Sequence, residues 1–243
     1  MMQGDLYYDV VIAGCGVAGM YTALNLGHDK KILMICKEDL ESCDSMLAQG
    51  GICVQRDEDD YDEYFEDTMR AGHYENNKES VDLMIRNSRD IINHLMRLGV
   101  EFEKDENGEL RYTREGGHGK PRICFHEDVT GKEITTVLQH KVKAMPNVTI
   151  MEHTCMCDII EEDGKCVGMI AKNKDGETLH IHALYTVMAT GGIGGLYEHS
   201  TNYPSLTGDA LDICRKHGIQ LDHLDYVQIH PTSLFTRKKG RSF

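Results

Sequence analysis

The sequence predicts an α/β fold, and three observations carry that expectation. Asp9-Val10-Val11-Ile12-Ala13 is a short β-branched run of the kind that forms a buried strand. Gly14, Gly16 and Gly19 follow in GxGxxG spacing, and residues 20–26 then read as a helix. A second apolar run, residues 31–36, returns where a βαβ unit requires its second strand.

Each glycine has a distinct physical task. Gly14 permits the tight turn, Gly16 lets a pyrophosphate approach the backbone, and Gly19 lets the helix pack close on the strand. The helix N-terminus carries about half a positive charge and faces the phosphates. The stretch Gly14, Cys15, Gly16, Val17, Ala18, Gly19 is therefore expected to cradle a dinucleotide.

The chain holds 243 residues, enough for one large or two small domains with a real core. It sets 26 basic residues against 40 acidic ones, a net charge of −14, which argues against nucleic-acid or anionic-membrane partners. The densest acidic run, residues 57–67, reads as a solvated turn and helix start. No apolar run approaches the roughly 18 residues of a membrane span, and the N-terminus lacks the pattern of a signal peptide. The nine cysteines form no CxxC pair, so no zinc or iron–sulfur site is expected. Reduced thiols in a cytoplasmic protein are the natural reading, with Cys155 and Cys157 as buried strand residues.

Beyond the second strand, residues 42–55 are small and polar, and Gly50-Gly51 admits close backbone approach. Helices are expected over residues 61–71 and 79–98. The second carries Val81, Met84, Ile85, Ile92, Leu95 and Met96 on one face, with Gly99 as its stop. Residues 100–102 read as a short strand and Asn107-Gly108 as a hairpin turn. Residues 113–128 combine Gly, His and charge without periodicity and read as a loop dense in chemistry. A helix follows over 132–144. From 148 to 189 the pattern is strand–turn–strand, with Asp163-Gly164 and Asp175-Gly176 at the turns. The last strand, 184–189, ends in Thr190-Gly191-Gly192, and Thr207-Gly208 opens a helix reaching His217.

A meander after the first βαβ unit, then a strand returning to a Gly-Gly turn, is the layout of an FAD-binding domain. A nicotinamide-binding domain continues instead in alternating βα units. The expected fold is a Rossmann-like FAD-binding domain with a β-meander over 1–225, carrying a helical and loop insertion at 57–130.

The pieces VVIAGCGVAG, SMLAQGGI, TREGGHGKPRI, ATGG, SLTGDAL and QIHPT occur in that order. Together they resemble the fumarate reductase and succinate dehydrogenase flavoprotein superfamily, and within it the L-aspartate oxidase branch. The resemblance covers essentially the whole chain and implies that residues 226–243 begin an α+β capping, or substrate, domain. It implies noncovalent FAD, because Asp44 stands where the respiratory enzymes have the histidine that bonds to the flavin. It implies further FAD contacts at Lys37, Ser45, Ala48, Gln49, Gly50, Gly51, Ala189, Thr190, Gly191 and Asp209, with Glu38 beside Lys37 at the ribose end.

Glu115 decides the branch. Fumarate reductases carry an aromatic residue before the Gly-Gly of this loop, whereas a carboxylate can pair with the ammonium that distinguishes aspartate from succinate. A hydrogen bond to a charged group contributes about 1.5–3 kcal/mol, roughly 10- to 150-fold in discrimination. Read on its own, Glu115 is a surface carboxylate paired with Arg114 or Lys120. His230, before Pro231, is biased to an extended backbone that projects its ring into a cleft. The resemblance gives His230 a substrate carboxylate, sets Thr232 beside it, and adds His118 as a further site candidate.

The implied reaction is oxidation of L-aspartate to iminoaspartate on the quinolinate route to NAD. Electrons would pass to O2 or fumarate, with hand-off of product to quinolinate synthase. The alternatives are a soluble fumarate reductase or succinate dehydrogenase-type flavoprotein, and a non-catalytic flavin-binding module. Members of the family continue past the equivalent of Phe243 and carry a catalytic arginine there. The resemblance therefore implies that residues 1–243 alone are inactive.

Overall fold

The structure is a computed structural model describing residues 5–229. In chain order its elements are β1 (Leu6–Ala13), α1 (Val17–Asn25), β2 (Ile32–Ile35), α2 (Asp44–Leu47), β3 (Ile52–Cys53), α3 (Tyr61–Ala71), α4 (Lys78–Leu98), β4 (Ile123–Cys124), α5 (Thr130–Lys143), β5 (Val148–Met151), β6 (Cys155–Glu162), β7 (Lys165–Lys172), β8 (Thr178–Met188) and α6 (Asp209–Lys216). The chain divides into two compact units. The segments up to Asp44 and from Gln139 onward form one, and Ser45–Leu138 forms the other.

The first unit is built on a six-stranded sheet of order β5-β2-β1-β8-β7-β6. β1 and β2 read as continuous apolar runs because both faces are covered: Val10 to Ala13 and Ile32 to Ile35 are all buried. Parallel pairing joins β5 to β2, β2 to β1 and β1 to β8, while β8, β7 and β6 pair antiparallel. β8 is longer than residues 184–189 because it serves two neighbours. Thr178 to His182 pair with β7, and Ile181 to Met188 pair with β1. Asp163 and Gly164 both take positive φ (50° and 74°), the geometry a two-residue hairpin turn needs. Val11, Leu33, Ile35, Met169, Ile181 and the helix residue Ile213 share one core. β6 is the outer strand of the meander, so Cys155 is only half-buried and Cys157 is exposed, against the expectation of buried thiols.

In the second unit the amphipathic helices form as their periodicity requires. α4 starts at Asn77, whose side chain accepts from Ser80 N at 2.9 Å, and stops at Gly99 with φ of 110°. Tyr64, Met69, Val81 and Ile85 close the α3–α4 seam. Residues 100–102 form no strand. Val100 and Phe102 are buried, but Val100 N turns back to Leu95 O of α4 and Glu101 N donates to Glu133 Oε1, so these amides build no ladder. Within 113–128, Ile123–Cys124 forms β4 against β3, so this stretch is a loop with a short strand at its end. The acidic run is also not fully solvated. Asp60 and Asp67 are 2% and 3% exposed, because both face a buried arginine.

Among the described residues no helix is long and apolar enough to cross a membrane.

Candidate functional site

β1 ends where Gly14 turns the chain. Its φ is 114°, its N–H reaches Ile35 O at 2.8 Å, and a Cβ there would lie 2.0 Å from Ala189 O. Ala189 N donates to Ala13 O at 2.7 Å, so the Ala189-Thr190-Gly191 turn is held against the glycine turn. A Cβ on Gly19 would lie 2.0 Å from Gly14 O and 3.3 Å from Ile12 Cγ2, and only glycine allows α1 this close to β1. Gly16 caps α1 in extended backbone with no side-chain hydrogen bond, and Val17, Ala18 and Gly19 open the helix without an acidic residue. The partial positive charge at that N-terminus thus meets no carboxylate of its own first turn. The Cys15 side chain is buried beside Cys36, which together with burial pushes its thiol pKa up. Its backbone is what remains to meet a ligand.

At the end of β2 the Lys37 ammonium is fully engaged. It pairs with Asp209 at the start of α6 and donates to Ser205 O (3.0 Å) and Thr207 Oγ1 (2.8 Å). Two residues that sequence reasoning placed separately are therefore one cluster, while Glu38 is exposed beside it. Asp44 receives the Asn202 amide and Tyr203 N, and so organises residues 202–203.

In the second unit, Ser45 and Ala48 lie against the start of α5. A Cβ on Gly131 would lie 2.4 Å from Ser45 O, and Gly131 N donates to Ala48 O at 2.9 Å. Gln49 is exposed. Gly50 has φ of 65° and its carbonyl accepts from Thr130 Oγ1 at 2.8 Å. Gly51 is pressed on β4: a Cβ there would lie 2.2 Å from Cys124 O.

The loop from Thr113 to Arg122 is held from beneath. The Arg122 side chain is fully buried; its Nη2 meets Asp60 Oδ1 and its Nη1 meets Asp67 Oδ2, each at 2.7 Å. Asp67 also receives Gly119 N at 2.6 Å and the Arg70 guanidinium. Burial alone would raise both carboxyl pKa values. The hydrogen bonds outweigh it, holding Asp67 at about 2 and Asp60 below its usual range. For Arg122 burial opposes the charge, and the same two carboxylates reverse that effect. Sequence reading missed this cluster. Its one signal was that Asp60, Tyr64 and Asp67 share a helical stripe.

This network brings Glu115 and His118 to one side of the Gly50-Gly51 turn. Glu115 is exposed, and its Oε1 lies 3.9 Å from where a Gly50 Cβ would be. The local cations are committed elsewhere: Lys120 pairs with Glu63 at 2.7 Å and Arg114 Nε donates to His118 O at 3.0 Å. Among the described residues no ion pair involves Glu115. His118 contacts Arg122 Nη1 through Nδ1 and Cys53 Sγ through Nε2, both at 3.1 Å. Burial, then Arg122, hold its pKa below the usual value. A cavity of about 490 Å³ adjoins the loop, lined by Ile52, Cys53, Tyr64, Met84, Gly117 and His118 among others. His230 and Thr232 lie outside the described residues.

The chain is 46% identical over 230 residues to an L-aspartate oxidase of Clostridium perfringens, covering 95% of this chain and 52% of that protein. It is 43% identical over 232 residues to an L-aspartate oxidase of Clostridium acetobutylicum, covering 95% and 53%. It thus spans about half the length of these curated relatives. Among solved structures it superposes on E. coli quinol fumarate reductase FrdA with a TM-score of 0.84 at 27% identity, over 88% of this chain and 38% of that one. Residues 9–243, nearly the whole length, match the family model of the FAD binding domain, and the chain belongs to that family.

Proposed function

We propose that the chain is the FAD-binding part of an L-aspartate oxidase. The observation that carries the reading is the Glu115 carboxylate, exposed beside the Gly50-Gly51 turn, with Lys120 paired to Glu63 and Arg114 Nε turned to the His118 carbonyl.

The residues present fit FAD. The Gly14–Gly19 turn offers backbone N–H groups and an α1 N-terminus free of first-turn acids, which suits a pyrophosphate. Lys37 and Asp209, as a pair, would frame the adenosine end together with Ala189, Thr190 and Gly191. Ser45, Ala48, Gln49, Gly50 and Gly51 would pass along the flavin. Asp44, already engaged with Asn202 and Tyr203, offers no histidine nitrogen for a covalent bond, so the cofactor would be held noncovalently. FAD, when bound, supplies the hydride acceptor for the Cα–H of aspartate.

Glu115 would hold the substrate ammonium, His118 would border the same loop, and His230 with Thr232 would take a substrate carboxylate. The product is iminoaspartate, and electrons would pass on to O2 or fumarate. Hand-off to quinolinate synthase and a cytoplasmic location belong to the same reading. The protein's own contribution is charge and orientation.

Steady-state kinetics of the natively encoded enzyme test this. Glu115→Gln is expected to raise the KM for L-aspartate by roughly 10- to 150-fold while leaving fumarate reduction largely intact. Equal loss of both activities, or turnover of succinate in place of aspartate, overturns the assignment in favour of a fumarate reductase-type enzyme.

A further inference from the structure

We propose that Arg122 is a positioning residue for this site: it fixes His118 as the neutral tautomer with its proton on Nε2, so the ring can donate a hydrogen bond but cannot act as a base.

All five N–H groups of a guanidinium donate and none accepts. Arg122 Nη1 stands 3.1 Å from His118 Nδ1, so Nδ1 must offer its lone pair. A proton on Nδ1 would face a donor that cannot turn away, since Nη1 and Nη2 are held by Asp67 and Asp60. A neutral imidazole carries one proton, which is thereby placed on Nε2, 3.1 Å from Cys53 Sγ at the cavity wall. Doubly protonated imidazolium is opposed for the same reason and by burial. The groups facing the ring are Arg122, Cys53 and Tyr64, whose ring meets it edge-on at 5.6 Å; Asp60, Asp67 and Glu115 are the next charges. Of the carboxylates that would stabilise an imidazolium, Asp60 and Asp67 sit behind Arg122 and are paired with it, and Glu115 is exposed to solvent.

A donor-only His118 narrows the chemistry of the site. The proton lost from the substrate ammonium cannot go to Nε2, which already carries one. What His118 supplies is a donor fixed on Cys53 Sγ, which ties the loop that holds Glu115 to the cavity wall. This functional half rests on the aspartate reading; the tautomer does not.

The tautomer is read directly by long-range 1H–15N NMR on the uniformly 15N-labelled 243-residue chain, with His118 assigned through the His118→Gln spectrum. At neutral pH the expected pattern is a pyridine-like Nδ1 and a pyrrole-like Nε2. A pyrrole-like Nδ1, or a protonated ring, overturns the proposal. Arg122→Met alone strands two buried carboxylates, so it is combined with Asp60→Asn and Asp67→Asn, which leaves no buried charge unpaired. This variant is expected to show averaged tautomers, and a persistent Nε2-protonated ring shows that Arg122 is not what fixes it.

In the natively encoded enzyme, His118→Gln keeps a donor near Nε2, whereas His118→Asn keeps only a group near Nδ1. His118→Asn is expected to raise the aspartate KM by about 2- to 12-fold, the equivalent of one neutral hydrogen bond, with His118→Gln nearer to wild type. Loss of the acidic limb of the kcat/KM pH profile in His118→Gln identifies a base and overturns the proposal. Absence of aspartate turnover in the unmodified enzyme overturns the proposed function and leaves the tautomer standing.

Discussion

Arg122 Nη1 and Gly119 N both donate to Asp67 Oδ2, at 2.7 and 2.6 Å, so one buried carboxylate oxygen ties two points of the same loop. The loop carries Glu115 and His118, and its conformation therefore depends on a charge cluster beneath it. Removing one partner of a buried pair leaves the other unpaired, at a cost of about 3–5 kcal/mol. Arg122→Met is expected to destabilise the protein by that amount in urea unfolding. Arg122→Lys should recover less than half of it, because an ammonium cannot bridge two carboxylates as a planar fork does. A cost under about 1 kcal/mol for Arg122→Met, typical of a surface pair, contradicts this account.

The same cluster sets an acid limit. The Asp67 carboxyl is held at about 2 in the folded state, below the ordinary 3.8. A depressed pKa contributes stability that is complete above the unfolded value and is lost as pH falls through the folded one. The window is therefore about pH 4 down to pH 2, and the contribution is about 2 kcal/mol. Urea midpoints measured from pH 6 to pH 2 should fall through that window. In Asp67→Asn the slope should flatten, whatever the variant's absolute stability. An unchanged slope assigns the acid sensitivity to other carboxylates.

Gly14 separates strain from crowding. Its φ of 114° disfavours any side chain, and a Cβ would overlap Ala189 O at 2.0 Å. Gly108 also has positive φ (83°) but meets nothing within 4 Å. Gly108→Ala should cost only the backbone term, about 1–2 kcal/mol. Gly14→Ala adds overpacking to strain, about 2–6 kcal/mol together, and should abolish FAD uptake measured by flavin fluorescence. Equal destabilisation by the two substitutions shows that the Gly14–Ala189 contact can relax.

What the sequence revealed and what it hid follow from the range of the interactions. The βαβ unit, the meander turns at Gly164 and Gly176, and the stop at Gly99 were legible because glycine φ and apolar periodicity act locally. The buried state of Asp60 and Asp67 was not, because it depends on Arg122, 62 and 55 residues further along the chain. Read locally, an acidic run at a helix start is solvated, and only the tertiary partner reverses that. Lys37 and Asp209 were each legible as motif positions. Their pairing was not, since β2 and α6 meet only through the returning chain. Residues 100–102 had the composition of a strand, but Val100 N is spent on the end of α4 and Glu101 N on the Glu133 carboxylate.

His217, the residue closing α6, points both ring nitrogens at carboxylates: Nε2 at Asp158 Oδ1 (2.8 Å) and Nδ1 at Glu161 Oε2 (2.9 Å). Two acceptors favour the imidazolium, and its pKa is raised, by Asp158 first and Glu161 second. A raised histidine pKa contributes stability that is fully present below the unfolded value near 6.5. That stability is lost as pH rises through the folded value. The clasp between α6 and β6 should therefore weaken on the alkaline side of neutrality, opposite in direction to the Asp67 cluster. NMR titration of the His217 ring is expected to give a midpoint above 6.5, and Asp158→Asn should bring it back down. Above the midpoint, amide exchange over 214–217 should accelerate, because the helix end loses its charged tie to β6. A midpoint at or below 6.5 means that solvent screens both carboxylates, and that α6 is held by the buried Ile213 instead.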